Sequence, residues 1–214
     1  ITLLSTFSQP KIDSELVVNT GNQISSASAG QPEPMLAVGI ILVKAFKMDE
    51  ALEVFDQTRL QHPSRLLAHQ GVTWIHLYKR RYDRATETLA EMLDQIPVPE
   101  EGEVYSPTVL KKFAWIGSVR ELSGSSMEWV EDKIPDATVL ARCDELVARH
   151  SKAAQAAYQS GRVPIREKIN ELTASLESDP SANADLLRNR VKTYNIPVAT
   201  EESIQEIRDG LDLD

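Results

Sequence analysis

Met48-Asp49-Glu50-Ala51-Leu52-Glu53-Val54-Phe55, with a proline following at Pro63, reads in parallel with Tyr82-Asp83-Arg84-Ala85-Thr86-Glu87-Thr88-Leu89, followed by Pro97. Ala51 and Ala85, Phe55 and Leu89, and Pro63 and Pro97 are all separated by one and the same interval. An interval of about 34 residues is the period of helix–turn–helix arrays. A single helix pair cannot bury its apolar face alone, whereas stacked neighbours share one core.

Working outward, Met35 to Phe46 is almost wholly apolar, with Lys44 its only charge. Its length and lack of turn residues predict a buried helix despite Val38, Ile40, Ile41 and Val43. A second helix is predicted from Asp49 to about Leu60, a third from Leu66 to Lys79 and a fourth from Asp83 to Gln95. His62-Pro63-Ser64 breaks the chain between the second and third. Upstream, residues 1–34 read as an arm and linker rich in Ser, Gln, Asn, Gly and Pro, with Leu16-Val17-Val18 its one apolar cluster.

Downstream, Ser106 and Pro107 open a helix expected to reach Leu122, and Ser123-Gly124-Ser125-Ser126 ends it. Asp136 caps a long helix expected to reach Ser160. Leu140, Cys143, Leu146, Val147, His150, Ala153, Ala154 and Ala157 form its apolar stripe. Gly161 is then expected to stop this helix and Pro164 to open the next, with stripe Ile165, Ile169, Leu172 and Leu176. Together these predict an antiparallel hairpin over 137–178. Shorter helices are expected around Ala184 to Tyr194 and after Thr200. No sustained period-two alternation occurs, so the fold class is all-α.

The repeated pattern resembles the tetratricopeptide repeat family. On that resemblance the first unit supplies Gly39, Leu42, Ala51, Phe55 and Pro63 as repeat-packing residues. The second supplies Thr73, His76, Ala85, Leu89 and Pro97, with Val38 and Val72 matching before the small position. His69 and His76 stand where large apolar residues are usual, and Thr73 replaces Gly or Ala. Phe113, Ile116 and Gly117 echo a third first helix, but no matching second helix follows at the repeat distance. The resemblance implies a right-handed superhelical stack over 35–97, a degenerate third unit over 98–136 and a helical extension over 137–214.

It also implies a concave groove lined by the first helices. Helical spacing gives Leu36, Ile40, Val43 and Lys44 from the first unit, and Leu67, Gln70, Trp74, Leu77 and Tyr78 from the second. This surface is mainly apolar, and the Lys, Arg and Asn that hold a peptide's terminal carboxylate in some family members are missing at the corresponding places. A helix apolar on all sides is buried on all sides, so something is expected to cover it. The expected occupant is the chain's own arm or C-terminal helices, with a partner's apolar or amphipathic helix as the alternative.

The remaining features point away from catalysis. His62, His69 and His76 are seven apart, too far along a helix for one metal ion. Lys79-Arg80-Arg81 with Arg84 reads as a solvated basic turn. Cys143 lies on an apolar stripe and is expected to be an inert core thiol that has no disulfide partner. No phosphate-binding Gly-rich loop, nucleophile elbow or calcium-loop spacing appears, and no cofactor is expected.

The net charge is −9, and residues 35–97 balance eight basic against eight acidic side chains. Such a balance lacks the basic face of a general nucleic-acid binder. No run of eighteen apolar residues is present, so no membrane span is expected. The sequence begins at Ile1, which leaves open a cytoplasmic protein or one exported or tethered through a segment upstream.

The sequence thus predicts an interaction module, an adaptor, scaffold or assembly factor and not an enzyme. Two alternatives are a structural subunit assembling through 137–178 and a helical enzyme using His69 or His76.

Overall fold

A computed structural model describes residues 31–100, 103–125 and 135–179, together with the isolated positions 19, 23, 24 and 181. The described residues are all-α and contain no strand. The expected arm cluster Leu16-Val17-Val18 and the expected helices at 184–194 and after Thr200 lie outside them. Two compact units divide within a helix, between Ile75 and His76.

The first unit is built on α1 (Pro32–Lys44), α2 (Met48–Gln61) and the body of α3 (Leu66–Tyr78). Helix α1 starts three residues before the expected Met35, because Pro32 occupies the first helical turn and Glu33 favours the positive end of the helix dipole. Glu33 also pairs with Arg65 just ahead of α3. The ring of Phe55 on α2 is gripped from two sides. A Cβ at Gly39 on α1 would stand 2.7 Å from it, and one at Gly71 on α3 2.6 Å. Gly71, not Thr73, is therefore the residue that admits the ring from α3.

Helix α1 ends in a left-handed turn at Phe46, with φ 59°. Phe46 N–H donates to Val43 O at 3.0 Å and Lys47 N–H to Leu42 O at 2.9 Å. These are the paired bonds of a Schellman stop, which satisfy carbonyls the helix end would leave orphaned.

The second unit carries α4 (Tyr82–Asp94), α5 (Pro107–Gly124), α6 (Ala137–Ala148) and α7 (Lys152–Ser178). The turn before α4 repeats the first one bond for bond. Arg80 has φ 58°, Arg80 N–H donates to Leu77 O at 3.0 Å, and Arg81 N–H donates to His76 O at 2.8 Å. Arg80, Leu77, Arg81 and His76 each lie one repeat period on from Phe46, Val43, Lys47 and Leu42. Helix α4 packs on α5 and α6, and α5 packs along α7.

The expected break at Gly161 and Pro164 is corrected: α7 runs unbroken through both. The chain instead breaks at residues 149–151. Ser151 caps α7 through its Oγ to Ala154 N at 3.4 Å, and Gln155 Nε2 donates to His150 O at 2.8 Å and Ala148 O at 3.2 Å. Those bonds satisfy the last carbonyls of α6 and so favour an end there. Gly161 serves close packing, not termination. A Cβ there would stand 1.8 Å from Ala114 O on α5, and one at Gly117 2.0 Å from Tyr158 O on α7. Ser118 Oγ donates across the same crossing to Gly161 O at 2.8 Å.

Helix α7 also completes a spacing. Ala154, Tyr158 and Gly161 are buried. They follow the intervals of Ala51, Phe55 and Thr58 on α2 and of Ala85, Leu89 and Met92 on α4, all likewise buried.

Candidate interaction surface

Helix α1 places Leu36, Ile40, Val43 and Lys44 on one side because they recur at helical intervals. The structure separates them by depth. Leu36 and Ile40 are 4% and 0% exposed and belong to the core of the first unit. Val43 packs half-buried against that core, and Lys44 is half-buried with its ammonium pKa lowered by burial. From α3, Leu67 and Leu77 are buried, Gln70 and Trp74 are half-buried, and Tyr78 is exposed. The nine expected groove residues thus divide into four buried ones and an accessible row. Within the first unit that row is Val43, Lys44, Gln70 and Trp74, with Trp74 and Val43 seated on the same core cluster.

The expected packing residues differ in depth. Gly39, Leu42, Ala51, Phe55, Thr73, Ala85 and Leu89 are buried. Pro63 and Pro97 are exposed at helix ends, and His76 is half-buried.

His69 is 2% exposed, and its Nε2 lies 2.9 Å from Pro63 O. A neutral ring donating there ties α3 to the turn that precedes it. Burial pushes its pKa down to about 4, which the Pro63 contact only partly offsets. Its Nδ1 is buried without a partner. The neutral ring is thus held in the core by its contact with Pro63 O. Among the described residues no group of three or more His, Cys, Asp or Glu lies together as a metal would require.

Cys143 on α6 is fully buried, its thiol pushed up to about 12 by burial. It is therefore protonated at neutral pH and not a nucleophile.

Sequence reading missed a charged cluster where α5, α6 and α7 meet. Arg120 Nη2 lies 2.6 Å from Asp144 Oδ2, and Tyr158 OH donates to Asp144 Oδ1 at 2.5 Å. Arg162 Nε reaches Glu121 Oε2 at 2.7 Å, and Arg166 Nε reaches Glu121 Oε1 at 2.8 Å. The Arg162 guanidinium lies 5.5 Å from the centre of the Tyr158 ring. Burial alone would raise the Glu121 carboxyl, but the hydrogen bonds from Arg166 and Arg162 outweigh it and hold the pKa below its usual value. Each carboxylate oxygen is occupied, so the cluster locks helices together and offers no free acid. The only sequence signal was three arginines and two acids at helical spacing, which does not say that they meet.

No family model matches the chain, and comparison with curated proteins and with solved structures gave no match either. No helix among the described residues is long and apolar enough to cross a membrane.

A second missed contact ties the loop after α4 to the α6–α7 break. Tyr105 OH donates to Pro97 O at 2.9 Å and lies 2.5 Å from His150 Nδ1, while Phe113 meets the His150 ring edge-on at 4.9 Å. With the Tyr105 proton on Pro97 O, His150 Nδ1–H is the donor to Tyr105. This anchors the buried His150 in the break that follows α6. The basic turn behaves as expected at one position, where Arg84 Nη1 pairs with Glu87 Oε2 at 2.9 Å on an exposed face.

Proposed function

We propose that the chain is a non-catalytic protein–protein interaction module, an adaptor, scaffold or assembly factor built on a tetratricopeptide-like pair of helical units. The observation that carries this reading is the pair of inter-helix turns that recur bond for bond, one repeat period apart. Such repetition is the mark of an array whose successive helices present a shared surface. The chemistry of the accessible row fits a partner with an apolar or amphipathic helix, since Val43 and Trp74 offer apolar area and Gln70 a hydrogen-bonding rim. The titratable groups most shifted from their ordinary values, His69, Cys143 and Tyr158, are buried and committed to packing or hydrogen bonding.

A photo-crosslinking amino acid at Gln70, in the full chain in native cell extract, tests the reading. The expected result is an adduct with a second protein that Trp74→Asp abolishes while far-ultraviolet dichroism stays unchanged. Adducts confined to this chain, or to a second copy of it, would overturn the adaptor reading.

A further inference from the structure

Helices α6 and α7 are joined by residues 149–151 alone. So short a connection ordinarily lies on the surface. Arg149 and Ser151 do, whereas His150 between them is 6% exposed. Its ring is held from two sides. Tyr105 OH stands 2.5 Å from Nδ1, and Phe113 on α5 meets the ring edge-on at 4.9 Å. Tyr105 is fixed in turn by donating to Pro97 O at 2.9 Å and by a tilted contact with the Phe113 ring at 5.5 Å. Gln155 on α7 bonds the backbone carbonyl of the same histidine. His150 thus joins Tyr105, α5 and the first turn of α7 in one set of contacts.

That set suits a neutral imidazole and not a charged one. Tyr105 is a phenol whose pKa is raised by burial, so it stays neutral. Phe113 from α5 and Gln155 from α7 carry no charge. Arg149, the neighbour in the chain, is a like charge that works with burial to disfavour protonation. None of these supplies the carboxylate that a buried imidazolium needs.

We propose that His150 is a proton-operated latch on the α6–α7 connection: acid charges the ring, the ring leaves its place between Tyr105 and Phe113, and the adjoining ends of the two helices loosen together. A ring out in water takes up its proton at the ordinary pKa of 6.5, and the seated ring resists it. The released state therefore binds more protons, so the latch is closed above pH 6.5 and opens as pH falls below it. At pH 5 the balance shifts toward release by up to about thirty-fold. The latch needs no partner and stands apart from the interaction reading.

The test uses the purified full chain. Hydrogen exchange over 146–156 is measured at pH 7.0 and 5.0 and corrected for the intrinsic effect of pH. The expected result is exchange several-fold faster at pH 5, reversed on return to pH 7, while α5 keeps its protection. His150→Asn retains an amide donor toward Tyr105 but cannot titrate, and equal rates at both pH values are expected. Tyr105→Phe removes the acceptor, and several-fold faster exchange already at pH 7 is expected. Unchanged wild-type rates, or a pH response in His150→Asn equal to that of the wild type, would overturn the latch. Should His150→Asn not fold, nuclear magnetic resonance of the wild-type rings decides. Coincident titration of the His150 and Tyr105 signals supports the latch. A His150 ring that titrates while Tyr105 stays fixed, or that does not titrate above pH 5, refutes it.

Discussion

Phe46 and Arg80 hold the same left-handed backbone, at φ 59° and 58°, in turns one repeat period apart. Neither is glycine, although such turns favour glycine because a Cβ there crowds the following carbonyl by roughly 1–2 kcal/mol. The repetition of a strained conformation in equivalent turns shows that the flanking helices dictate the turn, not the residue occupying it.

Phe46→Gly is the direct test of that strain. Phe46 is 76% exposed, so removing its ring forfeits little burial. Relief of the left-handed strain outweighs the added freedom of the unfolded chain, for a net gain of about 0.5 kcal/mol. Urea unfolding should show a higher midpoint at unchanged slope. A lower midpoint would mean that the ring makes contacts worth more than the strain.

The crossing of α5 and α7 makes the opposite forecast. Gly117→Ala and Gly161→Ala each press a methyl into a backbone carbonyl of the facing helix, and backbone cannot rotate aside. Each is expected to lose about 3 kcal/mol despite the intrinsic helix preference for Ala. Gly39→Ala presses on the Phe55 ring, a side chain, and is expected to lose less, about 1–2 kcal/mol. Thermal melts of the three variants should rank in that order. An equal or smaller loss at Gly161 would mean that the two helices can separate freely.

Those glycines also show what could be read from the sequence. Helices α1 to α4 were legible because Ala51, Phe55, Pro63 and their counterparts recur within one uninterrupted period. Helix α7 was misread because glycine and proline ordinarily end helices. At Gly161 the tertiary demand for close backbone approach prevails, and at Pro164 the ring is exposed within the continuing helix. The intervals at Ala154, Tyr158 and Gly161 repeat those of α2 and α4, but the segment carrying α6 separates them from Gly117, so the period could not reveal them. The charged cluster was illegible for a related reason: Glu121 and Arg162 meet only because α7 passes α5.

Two threonines test whether buried hydroxyls are satisfied. Thr58 Oγ1 donates to Val54 O at 2.7 Å, whereas Thr73 Oγ1 is buried without a partner. Valine matches threonine in shape and lacks the hydroxyl. Thr73→Val should therefore raise stability by about 1 kcal/mol, and Thr58→Val should lower it by a similar amount. Shifts of the same sign in both variants would mean that the Thr73 hydroxyl finds a water.

His69 makes stability depend on pH in mild acid. Its folded pKa of about 4 lies below the ordinary 6.5 because burial disfavours the charged ring. The unfolded chain therefore binds more protons than the folded one between those values. The stabilisation is fully present above pH 6.5 and is lost as pH falls toward 4, by up to about 1.4 kcal/mol per pH unit. His150 is lowered in the same direction, by burial and by Arg149. The carboxyls of Glu121 and Asp136 are held below their usual values and act at lower pH, so the histidines govern the window from 6.5 to 5. His69→Leu removes one of the two. Urea unfolding at pH 7.0, 6.0 and 5.0 should show a shallower decline for this variant than for the wild type, so that any deficit at pH 7 narrows or reverses at pH 5. Parallel declines would place His69 in contact with water and refute its neutral, buried role.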